Sequence, residues 1–506
     1  MTDTLIAGEE LSGRFDTLQQ RLVPLWQSIQ TMTQDEQTIV VIPSMSIDDP
    51  GWPASVLQAY EERFLFLLLL LRQPRARLVY VTSQAINPSI VDYYLDLLPG
   101  VIPSHARRRL FLVSPLDGSA RPLSEKLLER PRLLGRIRDL VVDRNRAHLV
   151  PFTTTELERD LALALDIPMY GADPRFFHYG TKTGCRRLFE ELQVARPLGA
   201  EGLSRVADVV GALRDLRAAR PDAARAIVKL NEGVSGEGNA TVDLRGLPVP
   251  GADGEGIALE ERVRAMSFES PMVRFEEYSA HLEKDGGIVE ERIEGDEVRS
   301  PSVQMRVTPL RRLEVLSTHD QLLGGPSGQA YVGCRFPADP AYAPAITTEA
   351  VKVGERLAEE GVIGRFAVDF VVVRSGSRWD PYAIELNLRK GGTTHPFLTL
   401  QFLTDGTYDP ATGVFRAPSG QEKHFVASDH VESPLYRSMT PDDLFDVVVR
   451  RGLHFDQARQ TGVVFHMMSA LGEHGRTGLT AVADSPTGAD ELYERVVSVL
   501  DEESAG

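Results

Sequence analysis

The first third of the chain alternates β-branched runs with apolar stretches of helical spacing. TIVVIPSMSID (38–48) reads as a strand ending in a Pro/Ser loop, ARLVYVTSQ (76–84) as a second strand, 89–98 as a helix before Pro99 and Gly100, and RRLFLVSPLDG (108–118) as a third strand. Strand and helix patterns in alternation imply a parallel sheet with helices on its faces. Ser44 and Ser83 then fall in loops at the carboxyl ends of strands, where open α/β sheets bind ligands, although structural loops are the plainer reading. The dense apolar run at 64–71, in ERFLFLLLLLRQ, is far shorter than the roughly 20 residues a membrane span needs and reads as a buried helix.

The texture changes near Asp166. A helix is expected at 183–193 and another through the Arg/Ala-rich stretch up to Arg220, then the strand AIVKL, a glycine-rich loop and ATVDL. Further strands are expected in PMVRFEEYS (271–279), GGIVEERIEG (286–295), SVQMRVTPL (302–310) and LEVLSTHDQ (313–321). A helix at 345–360 and the strands FAVDFVVV (366–373) and YAIELNL (382–388) follow. Segregated helices and antiparallel strands predict α+β lobes. The Gly/Pro-rich stretch 246–256 reads as a mobile surface loop. From about Ser428 the character shifts again. PDDLFDVVVRRG is an amphipathic helix with Pro441 in its first turn and Gly452 past its end, and 490–500 is a second helix. Three units are expected: 1–165, 166–425 and 426–506.

Composition narrows the function. The 506 residues carry a formal charge of −17, with 42% hydrophobic and 25% charged residues, as in ordinary globular proteins. An acidic chain is a poor partner for nucleic acid or an anionic membrane. Cys185 and Cys334 make no disulfide framework and have no metal-ligand spacing around them. With no basic and apolar leader pattern after Met1, a cytoplasmic protein is expected.

Three elements carry chemistry. In AIVKLNEGVSGEGNATVDL, Lys229 stands on a strand entering a loop with Gly233, Ser235, Gly236 and Gly238, where backbone N–H groups can approach phosphate oxygens. The G-x-x-G-x-G order and the strand that follows fit neither the dinucleotide fingerprint nor the P-loop, which leaves a strand–loop–strand flap over a triphosphate. In GGIVEERIEGDEV, a strand with Glu290, Glu291, Ile293 and Glu297 can offer backbone groups to an adenine edge and a carboxylate to ribose; an exposed acidic hairpin is the alternative. Third, FAVDFVVV carries Asp369, and AIELNLRKGG carries Glu385 and Asn387, two apart and so on one face, with Ile384, Leu386 and Leu388 expected in the core. Three hard oxygens inside apolar strands suit Mg²⁺ shared with phosphates, or Mn²⁺ in its place. Arg389 and Lys390 add positive charge beside them. Lys182, at a helix start, can reach a phosphate alongside the partial charge of the helix. Arg306 lies on an apolar strand and must pair with a carboxylate or a phosphoryl group. His319 and His395 are candidate bases or structural histidines.

Taken in order, these elements resemble the ATP-grasp superfamily over about 166–422. VVIPSMSID, VKLNEGVSGEG, PSVQMRV, STHDQLLGG, AIELNLRKGGTTHPF and QTGVVFHM further resemble the pheganomycin-type peptide ligases over most of the chain. The resemblance implies a Rossmann-like α/β pre-ATP-grasp domain, α+β ATP-grasp lobes and a small C-terminal α+β domain. It implies an ATP- and Mg²⁺-dependent carboxylate–amine ligase acting through an acyl phosphate and releasing ADP and phosphate. Its substrates would be a small carboxylic acid and the amine of an amino acid or peptide, and its state a homodimer. Lys182 and Lys229 would hold phosphates, Glu290 and Ile293 would lie at the adenine edge and Glu297 at the ribose, and Asp369, Glu385 and Asn387 would bind the metal. Where many relatives have Arg two positions before the metal Asp, this chain has Ala367, so Arg306, Arg365 or Lys390 would take over catalytic charge stabilisation. A phosphotransferase would look alike in these motifs; a nucleotide-sensing module is the other alternative, and the intact set of Asp369, Glu385 and Asn387 argues against it, because a sensor need not keep a full metal site.

Overall fold

The structure, a computed structural model, describes residues 2–30, 36–47, 52–233, 236, 238–269, 273–325 and 328–505. Strands Leu110–Val113, Ala76–Val81, Gln37–Ile42 and Ala147–Pro151 form, in that order, an all-parallel sheet. The apolar run lies within Glu62–Arg72, wound as a tight 3₁₀ helix. It is apolar all round because it is covered all round, by the parallel sheet, helix Thr394–Thr404 and strand Gly462–His466 in one continuous core. Ser44 and Ser83 are structural. Ser44 Oγ meets Ser46 Oγ at 2.8 Å, Ser46 and Ser124 each bond the buried Glu158, and Ser83 donates through N and Oγ to Glu61.

The middle of the chain builds two antiparallel layers. One sheet runs Gly199–Leu203, Gly287–Glu291, Arg225–Leu230, Asn239–Asp243, Ser267–Phe268. The strand expected at 271–279 is instead the start of helix Phe275–Asp285, with Pro271 and Met272 outside the described residues. Glu277 accepts from the Arg274 N–H at 3.3 Å to close the first turn, and Tyr278 and Leu282, four apart, are the buried positions. The 246–256 stretch is pinned. Glu255, buried at the start of helix Glu255–Arg264, pairs with Arg217 and accepts from Gly251 N at 2.7 Å.

The larger sheet runs Val298–Arg299, Gly364–Ser375, Pro301–Val307, Leu313–Gly324, Ala330–Phe336, His424–Glu432, Arg476–Ala483, Gly462–His466, with Arg378–Asn387 also paired to Gly364–Ser375. The boundary expected at 426 falls inside strand His424–Glu432, which bonds Ala330–Phe336 on one side and Arg476–Ala483 on the other. The last section therefore extends this sheet instead of folding beside it. Among the described residues no helix is long and apolar enough to cross a membrane.

Candidate active site

Antiparallel pairing sets Asp369 opposite Glu385 and Ala367 opposite Asn387, so the three polar side chains share one face while Leu386 and Leu388 are buried on the other. A bulge follows immediately, with Phe370 opposite Ala383. The extra residue is Ile384, and it lines a cavity instead of facing the core as period two requires. Asn387 Nδ2 donates to Asp369 Oδ2 at 3.0 Å, and the Lys182 ammonium pairs with Glu385. Burial and the facing Glu385 push the Asp369 carboxyl up. Burial also raises Glu385, but Lys182, Arg389 and Lys229 outweigh it and hold Glu385 below the usual range. This is a concentration of oxygen donors that gains from a cation.

Above this face a cavity of about 250 Å³ opens between the two antiparallel sheets. Lys182, Lys229, Gly233, Gly236, Gly238, Glu290, Glu291, Ile293, Asp369 and Glu385 all line it, and Ile227, Phe370 and Ile384 supply apolar walls. Ser235 lies outside the described residues. The strand–loop–strand flap forms as expected, with Lys229 opposite Asn239. Gly236 has φ +85°, and a Cβ there would stand 3.2 Å from the Gln329 carbonyl oxygen, so glycine lets the flap touch the other lobe. Asn239 Nδ2 donates to Gln329 Oε1 at 3.0 Å across the same gap. At the flap's base, the Tyr278 hydroxyl bonds the carbonyls of Val228 and Gly238.

Several expected residues have other contacts. Glu290 lies between two cations, 2.6 Å from Lys229 Nζ and 2.6 Å from Arg186 Nη1. Burial raises its carboxyl, and the two cations outweigh burial. Glu290 thus spends its carboxylate on holding Lys229 in place. Glu297 is not on the cavity wall and pairs with Arg299 and Arg374 at 2.7 and 3.1 Å. At the start of helix Lys182–Glu191 the N–H groups of Lys182 and Thr183 bond Asn231, and that of Gly184 bonds Thr181 Oγ1. That leaves the Lys182 ammonium as the helix start's contribution to the cavity.

A second cavity of about 160 Å³ shares Gly236, Gln321, Asp369 and Glu385 with the first. Ser302, Gln304, Ala367, Asn387, Arg389 and Gly391 form one wall, and Met45, Ile47, Tyr60, Arg63, Phe152 and Asp429 contribute others. Of the three catalytic candidates, none lines it. Arg306 pairs with Glu314 at 2.6 Å and stacks on Trp26, and Arg365 sits opposite Arg306 in the sheet, four residues from Asp369, about 13 Å along the strand. Lys390 points the other way from Arg389 and donates to the Pro151 carbonyl at 2.5 Å, where burial pushes its ammonium down to about 7. The residue that faces the cavity is its neighbour Arg389. Sequence reading gave no role to Arg63 or Asp429. The available signal was Arg63 itself, a charge at the head of an apolar run. His319 is buried against Ser317 Oγ with its imidazole pushed down to about 3 by burial, a structural role. His395 meets His466 and Asp429 behind the second cavity.

Comparison with known proteins fits this geometry. Residues 176–253 and 258–411 match the family model described as IQCH-like, ATP-grasp, and residues 443–496 the model described as PGM1 C-terminal domain. The chain is 33% identical over 446 residues to the L-propargylglycine–L-glutamate ligase of Streptantibioticus cattleyicolor, covering 87% of this chain and 88% of that protein. It is 24% identical over 545 residues to IQ motif-containing protein H of Danio rerio, spanning 97% of this chain and 50% of that longer protein. Among solved structures, biotin carboxylase from Campylobacter jejuni in a β-γ-ATP complex superposes with TM-score 0.54 at 10% identity, over 94% of this chain and 96% of that one. An ADP complex of N5-carboxyaminoimidazole ribonucleotide synthetase gives 0.52 at 10% identity, over 92% and 98%. At such identities these two show a common fold. The chain belongs to the ATP-grasp superfamily, among the pheganomycin-type peptide ligases, and is an ATP-dependent carboxylate–amine ligase.

Proposed function

We propose that ATP occupies the larger cavity, with its adenine among Ile227, Ile293, Phe370 and Ile384 and its triphosphate under the glycine flap toward Lys182 and Lys229. The observation that carries this is the single face shared by Asp369, Glu385 and Asn387 where the two cavities meet. Their oxygens fit Mg²⁺, or Mn²⁺, provided Asn387 turns its amide oxygen toward the cation and Lys182 leaves Glu385 for a phosphate. When bound, the metal neutralises charge on the transferring phosphoryl group.

A carboxylic acid in the smaller cavity attacks the γ-phosphorus. Its oxygen forms the new P–O bond, and the β–γ bridge breaks to release ADP. The amine then attacks the acyl carbon of the acyl phosphate, phosphate leaves, and the ammonium proton is lost to form the amide. Arg389 takes the charge-stabilising role that Arg306, Arg365 and Lys390 are too far away or wrongly turned to fill. An acyl phosphate hydrolyses, so the flap latched through Asn239 and Gln329 serves to keep water out. The substrates are an amino-acid acid and the amine of an amino acid or peptide, with L-glutamate and L-propargylglycine, named for the relative, as the first pair to try. The enzyme works in the cytoplasm, as a homodimer.

A screen of amino acids as acids crossed with amino acids and peptides as amines, read by ADP release and mass spectrometry, tests the reading. Hydroxylamine in place of the amine should give the hydroxamate of the acid together with ADP. Stoichiometric AMP would mean an acyl adenylate and defeat the mechanism.

A further inference from the structure

The smaller cavity holds a second arginine that the phosphoryl chemistry does not use. Arg63 heads the apolar segment Glu62–Arg72 and is 6% exposed, yet it lines the cavity. Its guanidinium lies against two aromatic faces, 4.2 Å from the Tyr60 ring centre and 5.1 Å from that of Phe152. Nη1 donates to Asp429 Oδ2 at 2.8 Å, while Nε has no hydrogen-bond partner among the described residues. A guanidinium offers five N–H donors, and the bond to Asp429 uses one of them.

The charges around it are unbalanced in the same sense. The carboxylates on this cavity are Asp369 and Glu385, which belong to the cation face, and Asp429. Asp429 is already shared: Oδ1 accepts from His466 Nε2 at 2.7 Å, with His395 Nε2 at 3.3 Å, and its backbone carbonyl accepts from Arg476 Nε at 2.7 Å. His395, Asp429 and His466 converge as metal ligands do. A dication there, however, would have to lose its water beside the Arg63 and Arg476 guanidiniums. The cluster is better suited to fixing Asp429, and through it the orientation of Arg63. Apart from Asp429 and the two carboxylates of the cation face, the described residues lining this cavity supply no further anion for Arg63.

We infer that Arg63 binds a substrate carboxylate other than the one being activated. This rests on the ligase reading above, in which the activated carboxylate must lie at Asp369, Glu385 and Asn387. The wall that presents Arg63 comes instead from the helical segments Ala54–Glu61 and Glu62–Arg72, which connect two strands of the first sheet. A planar guanidinium held on aromatic faces suits bidentate pairing with a carboxylate. The enzyme therefore selects substrates that carry a second carboxylate, either a dicarboxylic amino acid as the acid or a free amino acid or peptide as the amine.

The test compares wild type, Arg63→Ala and Arg63→Lys on the acid–amine pair of the amino-acid panel that releases ADP fastest, starting with L-glutamate and L-propargylglycine. Arg63→Ala should raise KM for one substrate by roughly 10- to 100-fold with a smaller change in kcat, and Arg63→Lys should recover part of it. Wild type should discriminate by a similar factor against the analogue whose spectator carboxylate is a primary amide, and Arg63→Ala should treat acid and amide alike. With hydroxylamine as nucleophile, the defect disappears if the carboxylate belongs to the amine substrate and persists if it belongs to the acid. Wild type accepting acid and amide equally, or unchanged KM for both substrates in Arg63→Ala, would overturn the assignment. No ADP release by wild type with any pair would instead refute the ligase reading itself.

Discussion

The two cavities meet at Asp369 and Glu385 but are built in opposite ways. The larger draws its wall from 182–385, from strands and turns of the two antiparallel sheets. In it, Lys229 has Glu290 and Lys182 has Glu385. The smaller takes residues from 45–152, 236–393 and 429–430, three stretches far apart in the chain; Arg63 pairs there with Asp429, a carboxylate that two histidines also share. A triphosphate is the same ligand in every ATP-dependent ligase, so under the proposed reading a wall drawn from one stretch of chain with fixed spacing can meet it. Acid and amine differ from enzyme to enzyme, and a junction between sheets can vary its wall without disturbing the strands proposed to hold the nucleotide.

That contrast breaks first at the seam. Asn387→Ala should lower ATP turnover by orders of magnitude at saturating Mg²⁺ while the thermal melt stays near wild type, because it removes an oxygen donor without stranding a charge. Near-normal turnover would remove the cation face from the mechanism. Glu290→Gln should act on stability, since it leaves Arg186 and Lys229 buried without their shared carboxylate. Urea denaturation should show a loss of about 3–5 kcal/mol, and a loss below about 1 kcal/mol would mean that the pair is solvated.

Lys390 sharpens the comparison from the other side. Its folded pKa of about 7 lies below that of an unfolded lysine, so between about pH 7 and 10 the unfolded state binds more protons and wild-type stability rises with pH. The cost of burying the cation is full below pH 7. Lys390→Met, lacking that cost, should therefore gain on wild type by up to a few kcal/mol more at pH 6.5 than at pH 9.5. A pH-independent difference in urea melts would show that Lys390 is not desolvated. Lys229→Ala should weaken ATP binding by about 1.5–3 kcal/mol, roughly 10- to 100-fold, and calorimetry showing unchanged affinity would take Lys229 off the phosphates. The smallest effect belongs to Tyr278→Phe, which removes a hydroxyl whose one proton is shared between two carbonyls at the flap's base and should cost about 0.5–1.5 kcal/mol of stability by urea denaturation. No change would mean that the flap is held by its glycines and strand pairing alone.

How far the site was legible follows from the same physics. Asp369, Glu385 and Asn387 could be grouped because side chains alternate along a strand. Ile384 could not be placed, because the bulge that turns it into the cavity lies in the pairing of two strands and not in either one. The strand expected at 271–279 gives way to a helix because burial of Tyr278 and Leu282 at helical spacing decides for one. Arg389 and Lys390 are indistinguishable by composition, and the strand's exit direction sends one to the cavity and the other to Pro151. Glu290 and Glu297 were candidates of one kind. Only the position of Arg186 beside one, and of Arg299 and Arg374 beside the other, separates them.

By itself the sequence determined the parallel sheet at the start, the Lys-strand and glycine flap, and the acid–acid–amide face, because each rests on periodicity or spacing within one or two adjacent segments. Tertiary structure decided that the last section joins the larger sheet, that the apolar run becomes the core between that sheet and the first, and that Arg63 comes to stand beside Asp429. These depend on contacts between residues hundreds of positions apart. No local pattern encodes such contacts, because burial and charge pairing are settled only when remote surfaces exclude water together.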